Sequence, residues 1–300
     1  MTVAIWGSTF VFTKMLLRVG LSPAQIFTFR FIIAYVLLLG YSFIPRPFKG
    51  SASSTFLRGN ERGGVRLFTS SWRDELIMVA LGITGGSLYF LTENAAMLYT
   101  TATNTSLIVC SCPLFAMLLV GLVYHKTEHI SRIQALGSVV ACMGMAVVVL
   151  NGHFVLHLSP LGDLLAFAAC LCWALYSLLM KPATARYGTL FITRKVFFYG
   201  LLTIIPYYII YPDFPPIDVI LSPQVLGNLL FLGVVASMIC FLMWNWVIRR
   251  LGAVVATNWV YFNPITTIAF AWWLLDEQIT PWFLLGTVLI LTGMYLCDRK

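Results

Sequence analysis

Three charged residues lie inside long apolar runs of the sequence: Lys14, Arg30 and Glu93. A charge at the centre of a lipid bilayer costs at least about 2.5–3.5 kcal/mol, so such residues usually face a cavity and pair with one another. If the runs are helices that rise about 1.5 Å per residue, all three charges lie at a similar depth in the outer half of the membrane. We therefore expect one network of two cations and a carboxylate beside a substrate site, where the surplus cation binds a carboxylate or phosphate. The alternative is that Lys14 and Glu93 extend to the membrane interface.

Two asparagines and two tryptophans are further candidates for the same site. Asn94 and Asn245 lie in matching apolar runs, and side-chain amides in lipid need hydrogen-bond partners. They either join neighbouring helices or contact a substrate. Trp6 and Trp173 also match one another, and they either pack between helices or line a cavity.

Two prolines interrupt apolar runs at corresponding positions, Pro113 and Pro264. Proline removes one helical hydrogen bond and clashes with the preceding turn, so both helices should kink. Irregular backbone at membrane depth is tolerated where it lines a cavity, and Asn258 and Tyr261 lie near the second proline. The prolines are therefore either static kinks or paired hinges, with Asn258 and Tyr261 as candidate binding residues.

The elements that position these residues follow from the composition. The chain has 300 residues, of which 60% are hydrophobic and 10% charged, whereas a soluble domain has about 25% charged residues. Lipid must therefore surround most of the chain, which excludes a cytosolic enzyme and a nucleic-acid-binding module. The net charge of +8 is then a topology signal rather than a nucleic-acid footprint.

The sequence predicts an all-α polytopic membrane protein. A spanning helix needs about 20 apolar residues, and ten such spans are predicted, at 2–19, 23–45, 74–98, 102–124, 132–151, 160–181, 190–211, 223–248, 252–274 and 280–298. In or near the connections on one face, and at the end of the chain, lie 16 of the 19 Lys and Arg residues. Positive charge stays in the cytoplasm, so we expect both termini there. The connection 46–73, rich in Gly, Ser and Arg, is predicted to be a mobile cytoplasmic loop.

The two halves of the chain, residues 1–151 and 160–298, show an ordered series of matches. Asn94 with Asn245 and Pro113 with Pro264 are each 151 positions apart, and Trp6 with Trp173 are 167 apart. Each half has five predicted spans, an odd number, so the second half enters the membrane in the opposite sense. Such inverted repeats are typical of secondary transporters, which bind substrate near the midplane between the halves.

The chain resembles the EamA family of the drug/metabolite transporter superfamily. The resemblance rests on the opening WGSTFVFTK at 6–14, the run FTFRFIIAYVLLL around Arg30, and the repeated asparagine–proline–glycine series. It implies ten helices as a five-plus-five inverted repeat, and a transporter that exports small metabolites by alternating access. The inner (plasma) membrane of a bacterium is the expected location. Exchange of nucleotide sugars or phosphorylated metabolites is the alternative within the superfamily, and an intramembrane enzyme on lipid-linked substrates is the alternative of another class.

Several kinds of chemistry are not expected. No GxSxG, HExxH or P-loop motif is present, so the sequence does not predict an enzyme. The pairs His125/His129 and His153/His157 lie in connections without a nearby carboxylate pair, and we expect no metal and no cofactor. The expected partners are a small-molecule substrate and the lipid bilayer. Gly137 and Gly144, with Gly286 and Gly293, suit close helix packing and predict a homodimer through the fifth and tenth spans as one option.

Overall fold

A computed structural model describes residues 1–43, 67–100, 102–125, 131–150, 159–275 and 281–298. Within these ranges the chain is helical and has no strand. The helices are α1 Thr2–Arg18, α2 Pro23–Phe43, α3 Trp72–Tyr99, α4 Ala102–Val109, α5 Cys112–Val123, α6 Arg132–Leu150, α7 Pro160–Arg186, α8 Thr189–Ile210, α9 Ile217–Leu221, α10 Pro223–Leu251, α11 Ala253–Asn258, α12 Asn263–Leu275 and α13 Pro281–Asp298, with a 3₁₀ turn at Trp259–Phe262.

The all-α membrane fold predicted from the sequence is confirmed. The helices occupy each predicted range, and five of them (α2, α3, α7, α8 and α10) are long and apolar enough to cross a membrane. The arrangement as ten spans in two inverted units stays a prediction. The predicted mobile loop lies mostly outside the described residues; its last residues, Trp72 and Arg73, belong to α3.

Helix starts follow from local sequence. Ser71 caps α3 by accepting a hydrogen bond from the backbone of Arg73, and Asp74 and Glu75 occupy the first turn, where carboxylates favour the positive end of the helix. Ser159 caps α7 in the same way, and Pro160 occupies the first helical position, where its missing N–H costs nothing. These signals fix where each long helix enters the bundle.

Irregular backbone occurs at matching places in the two halves. α3 contains a π-helical segment at Ile83–Ser87, and α10 contains one at Phe231–Ile239. Single π-turns inside α-helices frequently mark functional sites. Adding 151 to the residue numbers of the first segment places it inside the second. The two segments therefore occupy corresponding positions at the offset of the predicted internal duplication.

The helices α6 and α13 pack closely through their glycines. A Cβ atom on Gly293 would lie 2.4 Å from the backbone nitrogen of Ala141, and one on Gly144 would lie 2.6 Å from that of Ile290. Only glycine permits this approach, which occurs within one chain. The predicted homodimer therefore stays a prediction, and it would have to use other faces of these helices.

A polar cluster joins the two halves at one end of the bundle. Lys195 and Tyr199 of α8 both bind the carboxylate of Glu75, and Arg186 of α7 pairs with Asp74. The sequence pattern places Lys195 around a connection, as a topology signal; the structure places it within α8 with 5% of its side chain exposed. We call Asp74, Glu75, Arg186, Lys195 and Tyr199 the Glu75 cluster.

Candidate functional site

A cavity lies at the middle of the described bundle, lined by residues from both halves. Its atom-free space, counted together with the part that is open to the outside, is about 450 Å³. Its walls come from α1, α2, α3, α4, α5, α7, α10, α12 and the 3₁₀ turn.

Aromatic rings form much of the wall. The ring centroids of Trp6 and Trp173 are 5.2 Å apart in an edge-to-face arrangement, and Phe241 lies 5.8 Å from the first and 5.9 Å from the second. The indole N–H of Trp6 donates to the carbonyl of Ala236 at 2.9 Å, which fixes the ring. The structure thus places both predicted tryptophans at the cavity, where they form an apolar surface suited to a flat or hydrophobic ligand group.

Arg30 enters the cavity from α2. Its side chain is almost fully buried, its Nε donates to the hydroxyl of Ser237 at 2.9 Å, and its guanidinium lies 4.2 Å from the ring centroid of Phe90. Among the described residues, no carboxylate oxygen lies within 4.0 Å of it. A buried cation held by a hydroxyl and a ring but without a direct ion pair is suited to an anionic ligand group.

Glu93 faces the same cavity from α3. Tyr89 donates its hydroxyl to Oε1 of Glu93 at 2.8 Å, and both side chains are buried. Arg30 and Glu93 interact electrostatically across the cavity without a direct ion pair. The cavity therefore presents a guanidinium and a carboxyl group, which are suited to the two ends of a zwitterion.

Lys14, the third residue of the predicted network, is not at the cavity. Its ammonium donates to the backbone carbonyl of Met97 at 2.6 Å, near the last turn of α3. Cations are favoured at that end because the helix dipole is negative there. The structure therefore brings Arg30 and Glu93 together and gives Lys14 a position at a helix end.

The candidate asparagines differ in their surroundings. Asn245 accepts from the hydroxyl of Tyr176 at 2.6 Å and donates to Thr193 at 2.9 Å, so it joins α10 to α7 and α8. Asn94 donates to the carbonyl of Pro23 at 3.3 Å. Neither lines the cavity, and in this structure the contacts of both join neighbouring helices.

The residues near Pro264 also separate. Tyr261 shares a 2.8 Å hydrogen bond with Ser138, so it joins the 3₁₀ turn to α6 rather than lining the cavity. Asn258 is buried and its Oδ1 has no hydrogen bond in the described part of the chain. Asn263, next to Pro264, lines the cavity; the Cys110 thiol interacts with its side chain, yet no hydrogen bond reaches its Oδ1.

Both prolines lie where helices break. α4 ends at Val109 and α5 begins at Cys112, with Pro113 in its first turn. α11 ends before the 3₁₀ turn, and Pro264 is the second residue of α12. The kinks predicted at both positions are present because neither proline can donate to the residue four positions earlier.

The cavity lining repeats across the two halves. Phe90 and Phe241, Val109 and Val260, and Cys112 and Asn263 are pairs of lining residues, each 151 positions apart. Trp6 and Trp173, 167 apart, form a fourth pair. The candidates predicted from the sequence do not include Tyr89, Ser237 or Phe241. Of these three, only Phe241 could have been identified, because it lies 151 positions after Phe90.

Comparison with known proteins identifies the family of this chain. The profile of the EamA-like transporter family matches residues 1–150 and again 160–297. The chain belongs to the EamA-like transporter family. A relative from Archaeoglobus fulgidus, named an uncharacterized transporter, is 26% identical and aligned over 100% of this chain and 96% of its own length.

Two further relatives carry more specific names. A probable terminal-alkyne amino-acid exporter of Streptantibioticus cattleyicolor is 28% identical over 75% of this chain and 74% of its own. A probable amino-acid metabolite efflux pump of Escherichia coli is 26% identical over 56% of this chain and 58% of its own. A solved crystal structure, 14% identical, matches 99% of this chain and 97% of its own with a TM-score of 0.69, which speaks for the fold alone. The EamA membership makes this chain an integral membrane protein of a transporter family.

Proposed function

We propose that this EamA protein is a secondary transporter that exports small organic metabolites by alternating access at the central cavity. The observation that carries the proposal is the cavity lining, which is drawn from matching positions of the two halves and lies beside both proline breaks. In an inverted repeat, substrate binds where the repeats meet, and rocking of one repeat against the other exposes the site to each side in turn.

The cavity chemistry favours a solute with a carboxylate, an amine and an apolar part. Arg30 suits the carboxylate, Glu93 suits the amine, and the rings of Trp6, Trp173 and Phe241 suit the apolar part. The names of the amino-acid exporter and the amino-acid metabolite efflux pump support the same chemistry and the outward direction.

A phosphorylated metabolite is the second candidate. The unpaired guanidinium of Arg30 suits a phosphate as well as a carboxylate. The carboxylate of Glu93 in the same cavity opposes a group with two negative charges, so we rank this candidate second. We further propose that the protein lies in the plasma membrane with both termini in the cytoplasm.

Counterflow into proteoliposomes tests the proposal. Purified protein is reconstituted with a high internal concentration of one solute, and uptake of the labelled solute is measured. The panel contains amino acids, their amides, nucleosides, sugar nucleotides and cationic dyes. We expect accumulation of labelled amino acids, and loss of that accumulation in Arg30→Gln. Accumulation of none of these classes would contradict the proposed function, and accumulation of sugar nucleotides alone would favour the second candidate.

A further inference from the structure

The contact between Arg30 and Ser237 crosses the two halves of the molecule. Arg30 belongs to α2 of the first half, and Ser237 belongs to the π-helical segment of α10 in the second half. Ser237 is fully buried and accepts the 2.9 Å hydrogen bond from Nε of Arg30. This inference rests on the proposed function, since it concerns how the same cavity recognises its substrate.

The bond leaves one edge of the guanidinium available. Guanidinium carries five N–H donors in a rigid plane. Ser237 uses the Nε edge, and the ring of Phe90 lies against one face at 4.2 Å. Within the described part of the chain, the two terminal nitrogens make no hydrogen bond. Those nitrogens are the pair that binds both oxygens of a carboxylate, so the rotation of the guanidinium decides whether they face the cavity.

The backbone around Ser237 explains why its short side chain reaches Arg30. Gly233, one helical turn earlier, packs directly on α2: a Cβ atom there would lie 2.8 Å from Cβ of Ile33 and 3.2 Å from the carbonyl oxygen of Arg30. The close approach at Gly233 brings the Ser237 hydroxyl within hydrogen-bond distance of a side chain on α2. The π-helical segment sets the direction of that hydroxyl, because the extra residue in each turn rotates the side chains that follow.

We propose that Ser237 is a positioning residue that fixes the orientation of Arg30, so that the cavity selects solutes bearing a carboxylate. Ser237 itself does not touch the solute; it acts through the guanidinium. Without the hydroxyl, the guanidinium loses its fixed rotation and binds a carboxylate less well, whereas a solute without a carboxylate is affected little. Since the two residues belong to different halves, the orientation of the Arg30 guanidinium toward a bound carboxylate depends on how the halves pack against one another.

The test compares a carboxylate with its amide in the same protein. Binding of L-phenylalanine and of L-phenylalaninamide to purified full-length protein is measured by the fluorescence of its tryptophans, two of which line the cavity. We expect wild-type protein to prefer the acid, Ser237→Ala to lose 5- to 10-fold in affinity for the acid and less than 2-fold for the amide, and Ser237→Thr to restore the preference. The ratio of the two affinities does not depend on the fraction of folded protein.

Ser87→Ala is the matched control. Ser87 is a buried serine of the other π-helical segment and shares a 2.7 Å hydrogen bond with Thr203, away from the cavity. It should keep the wild-type preference. If Ser237→Ala does not yield folded protein, Ser237→Cys, which retains size but is a weak acceptor, replaces it. An unchanged preference in the Ser237 variant would overturn the positioning role, as would a wild-type protein without preference for the acid; counterflow of another solute would then still support the proposed function.

Discussion

The chemistry of Arg30 depends on its shape as well as its charge. Lysine would keep the positive charge but could not at the same time bind Ser237, lie against Phe90 and offer two parallel donors. We therefore expect Arg30→Lys to raise the KM of counterflow at least about 10-fold, which corresponds to about 1.4 kcal/mol. An unchanged KM would mean that Arg30 serves only packing.

Lys14 provides the comparison at the same scale. Because its ammonium binds the carbonyl of Met97, Lys14→Gln should lower the thermal unfolding midpoint and leave the KM of counterflow close to that of wild type. A rise in KM like that of Arg30→Lys would instead support the predicted three-charge network.

The sequence identifies the intramembrane charges but not the direction in which their side chains point. Depth along a helix follows from residue count, and it grouped Lys14, Arg30 and Glu93 at one level. The direction around each helix axis depends on packing, which placed Lys14 against Met97. Tyr89 and Ser237 escaped prediction because tyrosine and serine are common in such helices, and only their contacts with Glu93 and Arg30 distinguish them.

At the scale of helices, the Glu75 cluster joins the start of α3 to α8. Lys195→Met leaves the Glu75 carboxylate without its cation at a site with 22% of its side chain exposed. We expect a loss of about 1–3 kcal/mol in unfolding free energy. The double variant with Glu75→Gln should recover part of that loss, because no charge is then left unpaired. The coupling free energy between Lys195 and Glu75 is measured by unfolding the wild type, the two single variants and the double variant in detergent. If the losses of the single variants simply add in the double variant, the two residues are not coupled.

The contact between α6 and α13 gives a cleaner stability prediction. Gly293→Ala places a methyl group against the backbone of Ala141 and should cost about 1–3 kcal/mol by forcing the helices apart. Gly227→Ala on α10 is the control, since a Cβ atom there meets nothing within 4 Å, and alanine favours a helix by up to about 1 kcal/mol over glycine. The free energy of unfolding measured in detergent should therefore fall for Gly293→Ala and rise for Gly227→Ala.

Variants at the two helix breaks can distinguish a hinge from a static kink. Pro113→Ala and Pro264→Ala each restore a backbone N–H that could bond to Val109 or Val260 and straighten the helix. If the breaks act as hinges, transport should slow several-fold in both variants while the amount of protein in the membrane stays near wild type. Wild-type rates in both would identify static kinks. The sequence predicted these breaks from proline, whereas the π-helical segments carry no residue signature and could not be predicted.

At the scale of the whole molecule, the cavity is symmetric in its walls and asymmetric in its charges. Trp6 with Trp173 and Phe90 with Phe241 come from matching positions, whereas both charged lining residues, Arg30 and Glu93, come from the first half. The duplication could be predicted from ordered sequence matches. The sequence also shows that the intramembrane charges Lys14, Arg30 and Glu93 all belong to the first half. It does not show which of them face the cavity, because that depends on how each helix packs.

An inverted repeat makes a specific prediction about sidedness. Tyr99, the last residue of α3, and the matching Arg250, in the last turn of α10, should lie on opposite sides of the membrane, because each half has an odd number of predicted spans. Tyr99→Cys, at an exposed position, should react with a membrane-impermeant thiol reagent from outside intact cells. Arg250→Cys should react only after permeabilisation, as expected for a cytoplasmic cation. Unsubstituted protein is the control, since six of its seven cysteines are buried and Cys142 is half-buried. Labelling of both positions from one side would contradict the inverted arrangement. It would then also contradict alternating access by rocking of two inverted repeats.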